Sequence, residues 1–272
     1  MKTVTVGQVE FSNGAPFVLI AGPCQLEGLD HSRRIAETLT GLCSDLDIPL
    51  VFKGSFDKAN RTSLSGKRGL GIDEGLSILA KINAEFGCPT LTDVHDIPQC
   101  AVAAQAADII QIPAFLCRQT DLLLAAGETG AAINVKKGQF LAPNDMVNVS
   151  DKIASTGNER ILLTDRGTSF GYNMLVSDFR SLPIMAETGY PVVYDATHSV
   201  QFPGGQGGSS GGKREYAPPL ARAAVAVGCA AIFVETHPDP DHAPSDGPNM
   251  VVLDQMGEML TQLKAIDTLM KG

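Results

Sequence analysis

Two sets of side chains in this sequence could do chemistry together, although neither is clustered along the chain. The first is cationic: Lys53, Lys58 and Arg61, then Lys136 and Lys137, then Arg166. Ammonium and guanidinium groups converging on one cleft suit a substrate carrying phosphate or carboxylate, through charge-assisted hydrogen bonds to anionic oxygens. The second set is Cys24, His198, Glu235 and Asp246. A thiolate, an imidazole and two carboxylates suit one divalent cation of borderline softness, such as Zn²⁺, Fe²⁺ or Mn²⁺. Each residue also has an ordinary fate. A lysine or arginine is usually a solvated surface charge, and a lone cysteine a small core hydrophobe. The other five cysteines (Cys43, Cys88, Cys100, Cys117 and Cys229) fit that core role, and His237, Asp239, Asp241 and His242 read as loop-forming groups beside the site. Lys136 could alternatively serve as a Schiff-base nucleophile, but such a mechanism has no use for the Cys/His/Glu/Asp set.

What decides between these fates is where the chain puts the residues. Eight short apolar runs each end in a polar or charged cluster: residues 17–24, 49–58, 90–95, 109–115, 132–139, 160–167, 191–198 and 231–237. They are too continuously apolar for strands with one wet face, so each reads as a strand buried on both faces. Helical patterns over 31–46, 72–86, 97–106, 119–128, 145–156, 218–227 and 253–270 separate most of them and close the chain. Eight strand-then-helix units predict an α/β protein, a single (β/α)₈ barrel over residues 1–272, with its chemistry at the C-terminal rim of the strands. Closure of that barrel sets the seventh strand beside the eighth and the eighth beside the first, which brings Cys24, His198 and Glu235 together. Residues 1–15 alternate like strand and carry the turn pair Asn13-Gly14, predicting a short hairpin that plugs the barrel floor. The glycine-rich stretch 203–212 and the Pro/Asp-rich stretch 238–249 read as loops over the active site, since a domain boundary at 203–212 would cut the barrel open.

Composition narrows the partners. With 272 residues and a net charge of −9, the chain lacks the broad basic face of a nucleic-acid binder, although a few focused lysines can invert the field inside a cleft. No apolar run approaches the roughly 18 residues of a membrane helix. The first residues show no signal-peptide apolar core, and six scattered cysteines without CxxC spacing suit reduced thiols. The expectation is a cytoplasmic protein with no nucleic-acid or membrane partner.

Longer motifs then carry a resemblance over nearly the whole chain: AGPC at 21–24, FKGSFDKANRTS at 52–63, TDVH at 92–95, QIPAFLCRQTDLL at 111–123, NVKKGQFLAP at 134–143, TDRGTSFGYNMLVSDFRSLPIM at 164–185, DATHSVQ at 195–201 and ETHPDPDHAPSDGPN at 235–249. The sequence resembles the 3-deoxy-D-manno-octulosonate 8-phosphate synthases. The resemblance implies condensation of phosphoenolpyruvate with arabinose 5-phosphate in lipopolysaccharide precursor synthesis. Related seven-carbon (3-deoxy-D-arabino-heptulosonate 7-phosphate) synthases read KPR where this chain has KANR, and they use erythrose 4-phosphate. That enzyme, and a non-catalytic sugar-phosphate binder, are the alternatives. By the same resemblance Lys136, His198, Asp93 and Asn60 are the catalytic positions, with His95 nearby. Lys136 and Arg166 match ligands of the phosphoenolpyruvate phosphate, and Lys53, Ser55, Lys58 and Gln111 surround its carboxylate and reacting carbons. Asn60, Arg61 and Thr62 match the acceptor-sugar site, and Arg118 matches a residue reaching a neighbouring subunit, which implies a homotetramer. Cys24, where the metal-independent branch carries Asn, implies the branch holding one divalent metal per subunit through Cys24, His198, Glu235 and Asp246.

Overall fold

The computed structural model describes residues 1–204 and 211–272. The chain opens with an antiparallel hairpin, β1 (Val4–Val6) and β2 (Val9–Phe11). Parallel strands β3 (Val18–Gly22), β4 (Leu50–Lys53), β5 (Thr90–Asp93), β6 (Ile109–Ile112), β7 (Ala132–Lys136) and β8 (Ile161–Asp165) follow. A small ribbon of β9 (Thr168–Ser169) and β10 (Leu175–Val176) leads to β11 (Val192–Asp195), and a second of β12 (Gln201–Phe202) and β13 (Gly211–Gly212) leads to β14 (Ala231–His237). β14 pairs in parallel with both β11 and β3, which closes eight strands into a barrel, and β15 (Val251–Val252) extends the end of β14. Around it lie α1 (Leu29–Asp45), α2 (Ile72–Phe86), α3 (Ile97–Ala103), α4 (Thr120–Glu128), α5 (Met146–Ala154), α6 (Ser181–Ala186), α7 (Ala217–Val227) and α8 (Met256–Lys271). This is the (β/α)₈ barrel the sequence pattern predicts.

Strand alternation sorts the interior into two cores. Leu19, Phe52, Ile110, Ile133, Leu163 and Ile232 face outward and pack against the helices. Val18, Ile20, Val51, Leu91, Ile109, Leu162, Val193 and Phe233 face inward and meet Val4, Val6, Val9 and Phe11 of the hairpin. The hairpin therefore plugs the floor, each fully buried large side chain contributing roughly 1.5–3 kcal/mol. Its tight turn, however, is Gly7-Gln8, with Gly7 at φ 57°, where a two-residue turn needs a residue tolerant of positive φ. Asn13 acts differently: its amide donates to the Tyr190 carbonyl (3.0 Å) and accepts from the Val192 amide (2.8 Å), stitching the entry turn to β11.

Further up the barrel the inward positions become polar. Gln111, Asn134 and Thr164 form one layer, and Lys53, Asp93, Lys136, Asp195 and Glu235 lie at the strand ends above them, all buried. α6, which the sequence pattern did not disclose, has only six residues and contains Pro183, too short for a helical period to register. No described helix is long and apolar enough to cross a membrane.

Candidate active site

The polar strand ends open into a cavity of about 740 Å³ whose wall includes Lys58, Asn60, Arg61, Thr62, Asp93, His95, Gln111, Lys136, Arg166, His198, Glu235 and Asp246. Pro203 and Gly204 reach it from one loop, and Pro240, Asp241 and residues 243–248 from the other. The sequence reading of 203–212 as a site loop falls partly on residues 205–210, which lie outside the described residues.

The metal-ligand candidates meet on one side. Gly22, at the end of β3, stands where a Cβ would lie 1.9 Å from the Lys53 carbonyl oxygen, so only glycine lets β3 and β4 close up beside Cys24. The Cys24 thiol donates to Asp246 Oδ2 at 3.2 Å. Burial first, then the charges of Glu235 and Asp246, push this thiol well above its ordinary value. His198 Nε2 lies 3.5 Å from Glu235 Oε2 and 3.9 Å from Asp246 Oδ2. Ligand atoms of Cys24, Glu235 and Asp246 all lie within 4.8 Å of one another. Glu235 Oε2 is buried with no hydrogen-bond partner, a costly state for a carboxylate oxygen that a bound cation would relieve. Asp246 sits at φ 51°, a left-handed conformation tolerated by aspartate but strained, as found where function fixes a side chain. Gln201 holds it by donating to Oδ1 at 3.0 Å. The residues present fit a divalent metal.

A second group, Glu27, His31 and His237, also draws together. There His237 Nδ1 accepts from the Asp239 amide at 2.9 Å, while Nε2 faces Glu27 Oε1 at 2.9 Å. Nε2 then carries the proton it gives to Glu27, so as bonded here His237 presents no free ring lone pair.

Cations and carboxylates interlock across the rest of the floor. Lys53 is buried beneath the cavity, not on its wall, donating to Glu235 (2.5 Å) and to the Pro23 and Cys24 carbonyls (3.1 and 2.7 Å). Lys58 donates to Ser55 Oγ at 2.9 Å and stands 3.7 Å from Asp93 and 3.8 Å from Glu235. Burial opposes its charge, but Cys24, Glu235, Asp93 and Asp246 outweigh burial and hold Lys58 well above its ordinary value. Asp93 accepts from Ser55 and from Gln111. Gln111 accepts from Asn134 at 2.8 Å, which accepts from Thr164 at 2.6 Å. This donor-directed chain across four strands aims at one carboxylate. Burial works against ionisation of Asp93, yet Lys58 and Lys53 keep it well below the usual carboxylate range. For Glu235 burial is likewise overcome, by Lys53, His198 and Lys58.

Lys136 lies 3.3 Å from the centre of the Phe233 ring and donates to Asp195. Burial pulls it below the ordinary lysine value while Asp195 opposes. Arg166 donates to Gln201 Oε1 (2.8 Å) and the His198 carbonyl (3.2 Å). Arg61 donates to Ser245 Oγ (2.5 Å) and the Pro244 carbonyl (3.2 Å), tying the loop after β4 to that after β14.

Lys53, Lys137 and Ser55 depart from the sequence picture of a shared cleft, whereas Arg118, expected to reach a neighbouring subunit, lies outside this chain's own cavity. Lys137 is one residue past Lys136 and so faces out of the barrel, buried 3.5 Å from Asp165 and absent from the cavity wall. Arg118 is exposed. Ser55 is buried behind Lys58. Conversely, Asp195, Asn134, Thr164, Gln201 and Ser245 escaped the sequence reading. Asp195 had a signal, standing three residues before His198 at the end of an apolar run.

Fold and site together describe a (β/α)₈ barrel whose mouth gathers Lys58, Arg61, Lys136 and Arg166 beside the cluster of Cys24, His198, Glu235 and Asp246. The family model described as the DAHP synthetase I family matches residues 2–272, and the chain belongs to that family. Among its relatives, a 2-dehydro-3-deoxyphosphooctonate aldolase of Granulibacter bethesdensis is 68% identical over 271 residues, covering 100% of this chain and 96% of the relative. Proteins of the same name from Bradyrhizobium sp. and Brucella anthropi are 64% and 60% identical, covering 99% and 100% of this chain and 94% and 98% of theirs.

Proposed function

We propose that this chain is a transferase that condenses phosphoenolpyruvate with arabinose 5-phosphate and water, releasing inorganic phosphate and the eight-carbon 3-deoxy-D-manno-octulosonate 8-phosphate. The reading is carried by near-identical length and 60–68% identity to relatives named for that octonate chemistry. The KANR segment on the cavity wall, with Asn60, Arg61 and Thr62 together, favours the five-carbon acceptor over erythrose 4-phosphate.

In this reading Lys136 and Arg166 bind the phosphoenolpyruvate phosphate, and Lys58, with Gln111, neighbours its carboxylate and reacting carbons. Lys53 and Ser55 act from below, Lys53 by neutralising Glu235 and Ser55 by orienting Asp93. Asn60, Arg61 and Thr62 hold the acceptor, the Arg61 guanidinium toward its phosphate. C3 of phosphoenolpyruvate attacks the aldehyde carbon, water adds at C2, and the hemiketal phosphate expels inorganic phosphate by C–O cleavage. Asp93, ionised and oriented by Ser55 and Gln111, is placed to accept a proton, and His95 stands beside it. Cys24, His198, Glu235 and Asp246 would hold a divalent cation, which would supply Lewis-acid chemistry to the acceptor or to water. In this reading Lys136 acts as a phosphate ligand rather than a Schiff-base nucleophile: Asp195 and the Phe233 ring support its ammonium form against the burial that lowers it.

The assembly belongs to the same reading. Phe115, Phe140, Phe170, Tyr172 and Met174 are exposed near the mouth, an apolar set suited to contact between copies, and Arg118 lies outside its own cavity, free to serve a neighbour's. A homotetramer acting in the cytoplasm, as the resemblance to the octulosonate synthases implies, is part of the proposal. The test is phosphate release with phosphoenolpyruvate and either arabinose 5-phosphate or erythrose 4-phosphate, before and after chelation, with elemental analysis. A preference for the four-carbon sugar overturns the acceptor assignment. No release with either sugar across several divalent metals favours a non-catalytic sugar-phosphate binder.

A further inference from the structure

We propose that Asp195 is a positioning residue joining the two halves of the site: its carboxylate fixes the ligating face of His198 and the place of the Lys136 ammonium at once. The inference rests on the reading above and extends it to a residue that lies off the cavity wall.

Asp195 ends β11 in the inward phase and is 0% exposed. Taking a carboxylate out of water costs several kcal/mol unless donors surround it, and here they do. Oδ1 accepts the His198 backbone amide at 2.9 Å, and Oδ2 accepts His198 Nδ1 at 2.8 Å together with Lys136 Nζ. The segment Asp195–His198 is thus clamped on itself by two bonds, while the third reaches over β8 to β7, since the strand order is β11-β8-β7.

The chemical consequence follows from the donor inventory. With Nδ1 of His198 hydrogen-bonded to the Asp195 carboxylate, Nε2 is the ring nitrogen left to ligate. Nε2 is the atom directed at Glu235 Oε2 and Asp246 Oδ2. A carboxylate behind a ligating histidine sets ring orientation and raises ligand basicity, and its loss typically costs 10–100-fold in metal affinity. The same oxygen holds Lys136, so removing it releases the phosphate-binding cation as well.

The test uses chelator-treated full-length protein titrated with Co²⁺, followed by its visible and thiolate-to-metal absorption, and separately with phosphoenolpyruvate by calorimetry. Asp195→Asn is expected to weaken Co²⁺ binding by about 10–100-fold and phosphoenolpyruvate binding by roughly tenfold. Where that variant fails to fold, Asp195→Glu keeps the charge for Lys136 but displaces the acceptor from His198. It is expected to lose at least about tenfold in Co²⁺ affinity and less for phosphoenolpyruvate. Asp165→Asn, a buried carboxylate change beside Lys137, controls for general loosening and is expected to leave the Co²⁺ affinity unchanged. Wild-type affinities for both ligands in the Asp195 variants overturn the proposal, as does an equal loss in Asp165→Asn. If the wild type itself takes up no Co²⁺, the metal reading falls and the His198 half with it. Phosphoenolpyruvate affinity then decides the Lys136 half.

Discussion

Glu235→Gln isolates the electrostatic bond that supports the floor of the site. Lys53 and Glu235 are 1% and 0% exposed, with Nζ and Oε1 2.5 Å apart. At an effective dielectric of about 20, unit charges at that separation attract by roughly 6–7 kcal/mol, and desolvation of both groups takes back several kcal/mol. Glutamine keeps an oxygen for Lys53 to donate to, and the Pro23 and Cys24 carbonyls remain, so hydrogen bonds survive while neutralisation is lost. The expected destabilisation is about 3 kcal/mol, the lower end for breaking a buried pair by removing one charge. The assay is urea unfolding in excess chelator, so that metal ligation by Glu235 makes no contribution. The midpoint should fall with its slope unchanged, as for a change in native stability alone. The complementary Lys53→Met should cost less, because Glu235 retains Lys58 at 3.8 Å. Equal midpoints for wild type and Glu235→Gln, or a larger loss in Lys53→Met, would refute the reasoning.

Other substitutions and conditions test neighbouring parts of the site. Arg61→Ala should raise KM for arabinose 5-phosphate by about 10–100-fold, the worth of a charge-assisted hydrogen bond, with KM for phosphoenolpyruvate changed by less than about threefold; equal effects on both in steady-state assays would move Arg61 out of the acceptor site. Cys24→Ala should lose bound metal by elemental analysis, and Cys24→Asn should retain partial activity in chelator. Full activity of metal-free wild type in excess chelator would overturn the metal assignment. Asp93, Asp195 and Glu235 are all held below the ordinary carboxylate range, whereas the unfolded chain titrates them near pH 4. The unfolded state therefore binds more protons there, so their stabilisation is present above about pH 5 and fades as pH falls further. A urea midpoint that stays flat between about pH 5 and pH 3 would contradict those directions.

The barrel was legible because each strand is buried on both faces and shows as a continuous apolar run ended by polar groups. What the runs concealed was their ends. Regular pairing stops at Gly22, Lys53, Asp93, Ile112, Lys136 and Asp165, so Cys24, Lys58, His95 and Arg166 are carried by the turns that follow. Helix α6 was hidden by its length. Asn13-Gly14 carries the stronger local turn signal, but Gly7 makes the turn and Asn13 spends its amide on β11. Within the site, Lys53, Lys136, His198 and Glu235 stood out because charged and ligating side chains at buried strand ends are rare. Asn134 and Thr164 did not, since a neutral polar residue within a strand has no such rarity.

Strand phase would have recovered most of what was missed. Counting back by twos from Glu235 gives Phe233 and Ala231, and from Lys136 gives Asn134 and Ala132; the lower members of both series lie in the inner core with the hairpin. The same count from Asp195 reaches Val193, and from Thr164 reaches Leu162, which lie in that core too. An inward phase thus marks Asp195, Asn134 and Thr164 as members of the site and rejects Lys137, which follows Val135 and Ile133 of the outer core. The two lysines differ by one position and by the whole thickness of the barrel wall. Their separate partners, Asp195 inside and Asp165 outside, are each on the same phase as the lysine they neutralise. A buried cation and its carboxylate must share a face of the sheet, so a charge of either sign at a strand end in this fold predicts where its counter-charge is to be found.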